Sequence, residues 1–221
     1  MHIEPGLIDG AKMALSVGTA TVAGGYGLKL AWETVKTSGV ASLATRGLIA
    51  TGAVLVFFQL LPHPPVGVSE VHLILGSTLF LTLGAGPAAL GLALGLLLQG
   101  LAFAPWDLPQ YFANVTTLLV PLYAMAALSR RIVAPGTPYV DLSYAQVAKL
   151  SATFQGGIVA WVAFWAFYAQ GFGAWEAVAT FGAAYMTVLL IEPLVDLGVL
   201  AVAKATRGFE GTGLITPRLY A

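Results

Sequence analysis

The sequence predicts an all-α membrane protein: a bundle of about seven transmembrane helices with the N-terminus outside and the C-terminus cytoplasmic. Three observations predict it. Of 221 residues, 58% are hydrophobic and only 9% charged, against about a quarter charged in a soluble domain. Apolar windows of about 20 residues, the length that crosses about 30 Å of hydrocarbon, recur along the whole chain. The basic residues, finally, segregate to alternate connections, as cytoplasmic flanks do.

In order, the windows fall at 9–31, 40–61, 69–85, 87–104, 109–129, 145–170 and 175–203. The third is short for a crossing, and Gly84-Ala85-Gly86-Pro87 divides it from the fourth, with Pro87 suited to a first helical turn. With the N-terminus outside, Lys29, Lys36 and Arg46 flank the first inner turn. Arg130, Arg131 and Lys149 then flank a later one, and Lys204, Arg207 and Arg218 lie in the tail. Of the ten basic residues only Lys12 objects, and the outer stretches 62–68, 105–108 and 171–174 carry none. The chain reads as one polytopic domain: a stub over 1–8, the bundle over 9–203 and a cytoplasmic tail over 204–221. No cleavable leader is expected, because Glu4 and Asp9 interrupt the opening and no basic segment precedes an apolar one. Met1 is expected to be retained, because His2 is too bulky a second residue for its removal.

Composition excludes several classes of function. Ten Lys plus Arg balance ten Asp plus Glu, so there is no basic surface for nucleic acid. The chain has no cysteine, so any metal must be held by nitrogen or oxygen. No glycine-rich phosphate loop with its lysine is present, which places any ATP-driven work on another chain. The 26 glycines suit close packing of membrane helices.

The chemistry concentrates in the opening Met1-His2-Ile3. A free α-amine and the His2 amide nitrogen close a five-membered ring on a metal, and the amide and His2 imidazole close a six-membered one. Two residues can thus supply three nitrogens. The topology also puts all three histidines, His2, His63 and His72, at the outer face. Histidine is the commonest metal ligand, and four nitrogens in a plane suit Ni(II), Cu(II) or low-spin Co(II). Taken by residue type and spacing alone, three histidines near an interface are more often hydrogen-bonded loop residues than metal ligands.

The opening Met1-His2-Ile3 with Gly6, Gly67-Val68-Ser69-Glu70-Val71-His72-Leu73, Gly84-Ala85-Gly86-Pro87, Leu96-Leu97-Leu98-Gln99-Gly100-Leu101 and Ala113-Asn114-Val115 together resemble the CbiM/NikM family. Its members are substrate-binding membrane components of energy-coupling-factor transporters for cobalt and nickel, and the likeness runs through residues 1–129 and leans toward CbiM. It implies a non-catalytic subunit of a bacterial or archaeal plasma membrane that binds Co2+, otherwise Ni2+, as transported substrate. The implied ligands are the Met1 amine, the His2 amide and imidazole, and the His72 imidazole. The implied partners are a transmembrane coupling subunit (CbiQ-like), a small membrane subunit (CbiN-like) and cytoplasmic ATPases (CbiO-like). Asn114 matches a family asparagine and is expected to hold the stub or an imidazole in orientation. The chain also departs from the pattern: Glu4-Pro5 stands where the family has Pro-Asp, and one additional residue, Glu70 or Val71, precedes His72.

Around these ligands, Ser69 and Glu70 are candidates to orient His72 or draw cations in, and His63 is a candidate auxiliary ligand. At membrane depth, Arg46, Glu192 and Asp196 are expected to pair, with a docking surface for a coupling subunit as the alternative. Pro193 is expected to kink the last helix. The aromatic run Trp161, Phe164, Trp165, Phe167 and Tyr168 reads as an interfacial belt. Two rival functions remain: an intramembrane hydrolase, weakened by the lack of a nucleophile elbow or paired-histidine zinc motif, and a self-sufficient permease, which should carry ionisable groups on through the bundle.

Overall fold

A computed structural model describes residues 2–3 and 6–209. Met1, whose amine is an expected ligand, and Arg218 in the tail lie outside the described residues. The elements run α1 (Lys12–Ser38), α2 (Val40–Gln59), a hairpin of β1 (Pro65–Val66) and β2 (Ser69–Glu70), α3 (Gly76–Leu83), α4 (Ala85–Ala102), α5 (Tyr111–Ile132), α6 (Tyr144–Gln170) and α7 (Trp175–Ala205).

Six of these helices are long. The third expected span is corrected: 69–85 is non-helical chain followed by eight-residue α3, which at about 1.5 Å per residue is too short to cross hydrocarbon. The backbone breaks at Leu75, whose φ of 53° is left-handed, and carboxylate and strand partners replace the missing helical hydrogen bonds. Among the described residues, four segments are long and apolar enough to span a membrane: Val40–Gln59, Ala85–Ala102, Pro105–Ile132 and Tyr144–Ala205, the last folding back as α6 and α7.

Helix directions follow from close approaches. Along α4, a Cβ at Gly91 would overlap Ala50 and one at Gly95 would overlap Val54, so α2 and α4 run the same way. Gly86, by contrast, meets Leu30 and Thr34 near the end of α1, so α1 runs against α4. Tyr123 of α5 donates to Ala23 O of α1 at 2.7 Å, and Gly157 of α6 packs on Pro121 of α5. Between the parallel α2 and α4 the chain has to return, and the non-helical 69–75 stretch with α3 makes that return. Gly84, at φ 93°, then reverses it into α4, a conformation cheap only for glycine. A Ser143/Gln146 capping box starts α6.

The outer surface is greasy: Val22, Leu48, Ile49, Leu190, Leu194 and Val202 are all exposed, as lipid contact requires. The interior holds Phe58, Phe154, Phe181 and Tyr185. The chain's opening lies at one end of the bundle, where Lys12 Nζ donates to Ala169 O at the end of α6. Lys12, the exception in the charge pattern, is thereby used at a helix C-terminus, which favours a cation. The α7 end lies at the other, where Lys204 Nζ donates to Val140 O at 2.6 Å and Arg207 pairs with Asp141 at 2.6 Å.

Candidate metal site

The stub is folded into the bundle. Ile3 and Ile8 are buried with Ala113, Trp165 and Ala169, and Ile3 bridges Ser69 of β2 antiparallel. Backbone pairing extends this contact: Glu70 N donates to His2 O at 3.0 Å, and Ser69 Oγ donates to the same oxygen at 3.0 Å. Ile3 N donates to Asn114 Oδ1 at 2.9 Å, and Gln110 Nε2 to Ile8 O at 3.0 Å. These bonds fix where His2 can sit.

His2 is 3% exposed and His72 1%, with ring centroids 5.2 Å apart, and Phe58 packs on both. His2 Nδ1 lies 2.8 Å from Glu70 Oε2, and His72 Nε2 lies 3.6 Å from that same oxygen. Ligand-type atoms of His2, Glu70 and His72 all fall within 4.8 Å of one another. On its far side, His2 Nε2 lies 3.0 Å from Gln99 Oε1 and 3.9 Å from Asp107 Oδ2. Burial pulls the His2 imidazole below its ordinary pKa, against the opposing pull of Glu70 and Asp107. A neutral imidazole keeps a lone pair for a metal.

The structure brings His2, His72, Ser69, Glu70 and Asn114 together. His63 stacks on His72 at 5.1 Å between centroids and 11° between planes, with its Nδ1 2.9 Å from Leu61 O. Sequence reasoning missed Gln99 and Asp107. Their signals were a glutamine in an otherwise apolar helix and an acid between Pro105 and Pro109 in a connection without lysine or arginine.

The expected pairing of Arg46 with Glu192 and Asp196 is absent. Arg46 donates to Leu83 O at 3.0 Å and to Ser42 Oγ at 2.8 Å. Glu192 instead accepts from the backbone N–H groups of Ile74 and Leu75 and from Gln155, and Asp196 accepts from Ser77 and Thr78. Tyr185 completes the set by donating to Gln155 Oε1 at 2.8 Å. Hydroxyls and amides, rather than a cation, satisfy these two buried carboxylates, and both hold the start of α3. The aromatic run divides likewise. Trp165 is fully buried and donates with Trp161 to Thr116 Oγ1, whereas Phe164 and Tyr168 face outward. A cavity of about 690 Å³ lies by Gly84, Arg130 and Tyr139 at the other end and has no His, Asp or Glu in its lining.

Fold and site define a helical membrane protein that seats its own N-terminal segment beside a buried histidine pair. The chain belongs to the CbiM family, whose model, "Cobalt uptake substrate-specific transmembrane region", matches residues 2–208; it is a membrane component of metal uptake. In structure it is similar to a solved chain described as a truncated transition metal transporter, with TM-score 0.61 and 17% identity, covering 93% of this chain and 97% of that one. No curated protein matches it in sequence.

Proposed function

We propose that the chain captures one divalent transition metal ion, Co2+ ahead of Ni2+, at the outer face and passes it inward with ATP-driven partner chains. The carrying observation is that His2 and His72, seventy positions apart, meet as buried rings 5.2 Å apart. Membership in a cobalt-uptake family supports the choice of ion. The donors are the Met1 amine, the His2 amide nitrogen and Nδ1, and His72 Nε2. With His2 Nε2–H given to Gln99 Oε1, Nδ1 is the nitrogen left for chelation. Asn114 and Ser69 position the stub through Ile3 N and His2 O.

In this reading the stub and histidines face outward and the basic end faces the cytoplasm, so seven passes are made, the third by non-helical chain plus α3. A CbiQ-like coupling subunit, a CbiN-like small subunit and CbiO-like ATPases then move the ion onward, and no bond chemistry occurs on this chain. The close fit of His2 and Ile3 supports the chelate, because Ser69, Glu70 and Asn114 already hold the backbone that carries the His2 donors.

The test is calorimetric Co2+ and Ni2+ binding by protein starting at Met1 and by protein carrying one extra residue before it. The extension should weaken binding by on the order of 100-fold, since losing a primary donor costs at least as much as losing an outer-shell partner. Equal affinity would sink the chelate, and it is what the hydrolase reading expects.

A further inference from the structure

The geometry points to Glu70 as a direct oxygen ligand to the captured ion, one that shifts the site from a planar nitrogen set toward higher coordination and so toward Co2+ over Ni2+. This rests on the proposed metal site and goes beyond it. Three observations carry it.

The first is distance. Donors about 2.0–2.2 Å from a common ion lie about 3 Å apart at right angles and up to about 4.3 Å apart across it. Glu70 Oε2 is 2.8 Å from His2 Nδ1 and 3.6 Å from His72 Nε2, and the three groups fit within 4.8 Å. The carboxylate oxygen already keeps ligand-to-ligand separations from both imidazoles.

The second is positioning. Glu70 does not reach in from a mobile tip. Its N–H is bonded to His2 O, and β2 holds it opposite Pro65, so the residue that carries the carboxylate and the one that carries the chelate are tied backbone to backbone.

The third is charge. Imidazoles and an amine are neutral donors, and a dication buried among them is costly unless compensated. The deprotonated His2 amide supplies one negative charge and Glu70 the second. Asp107, 3.9 Å from His2 Nε2 on the opposite side of the ring, is turned away from the chelating nitrogen and acts on the site only from a distance.

Four planar nitrogens favour Ni(II) and Cu(II), while adding a carboxylate oxygen suits ions that accept more ligands. The test compares wild-type protein with Glu70→Gln, nearly isosteric but uncharged, and Glu70→Asp, charged but shorter. It measures the Co2+ to Ni2+ affinity ratio and X-ray absorption of each loaded protein in detergent. Wild type should show a non-planar site with one oxygen neighbour. E70Q should lose that oxygen, turn planar with Ni2+ and shift the affinity ratio toward nickel by about tenfold or more, with E70D between. An unchanged ratio with unchanged spectra in E70Q overturns the assignment of Glu70 while leaving the metal site intact. Wild-type protein that binds neither ion removes the site and this ligand together.

Discussion

Asn114 uses one end of its amide to hold the stub. Its Oδ1 takes the Ile3 N–H, and its buried Nδ2 has no hydrogen-bond partner among the described residues. Asn114→Ala should therefore leave Ile3 N unsatisfied, at a cost of ~1–3 kcal/mol. Weaker metal binding together with easier proteolysis of the first residues is the expected outcome, and unchanged binding would show that Ser69 suffices to seat the stub. His72→Ala should lower affinity more, because it removes a donor rather than a support, and full affinity in that variant would exclude His72 as a ligand. Binding should also weaken as pH falls. Metal and protons compete for the same nitrogens, and an α-amine of ordinary pKa about 8 and an amide must both lose protons. The His2 imidazole, held below its ordinary value by burial, adds to this loss only once pH drops beneath the usual histidine range. Affinity measured between pH 6 and 8 checks the sign.

Among the elements, α3 depends on α7. The Glu192 carboxylate is fully buried and takes the N–H groups of Ile74 and Leu75 immediately ahead of α3, two donors that no helical carbonyl reaches. Glu192→Ala should strand those donors and Gln155 together, destabilising by ~3 kcal/mol or more, and should loosen the segment carrying His72. Glu192→Gln keeps the shape and one acceptor and should lose less. Thermal unfolding in detergent, read beside metal affinity, checks both. On the opposite side, α2 and α4 touch through glycine, so Gly91→Leu should separate them and block folding.

At the scale of the molecule, the described chain begins and ends at opposite ends of the bundle, which the proposal translates into an outer stub and a cytoplasmic tail. The chain has no cysteine, so single cysteines can be introduced without background. Phe172→Cys, at an 84% exposed site on the stub's end, should react in intact cells with a membrane-impermeant maleimide. Ala134→Cys, exposed at the other end, should react only after the membrane is opened. The reverse pattern would invert the topology and move the site to the wrong side for capture.

Six long helices and their order were legible because burial in lipid imposes length and apolarity on each segment locally, and Gly84 and Pro87 marked their turn by backbone chemistry alone. His2 stood out as a chelate candidate for the same reason, since its rings close within two residues. The tertiary structure alone decided that residues 69–75 are not helical and that Arg46 leaves Glu192 and Asp196 to the start of α3. It alone drew Trp165 inward, and it alone brought Gln99, Asp107 and Glu70 around His2. Those outcomes depend on which buried polar group lies nearest which unsatisfied partner, a relation between distant segments. No local period or composition records it.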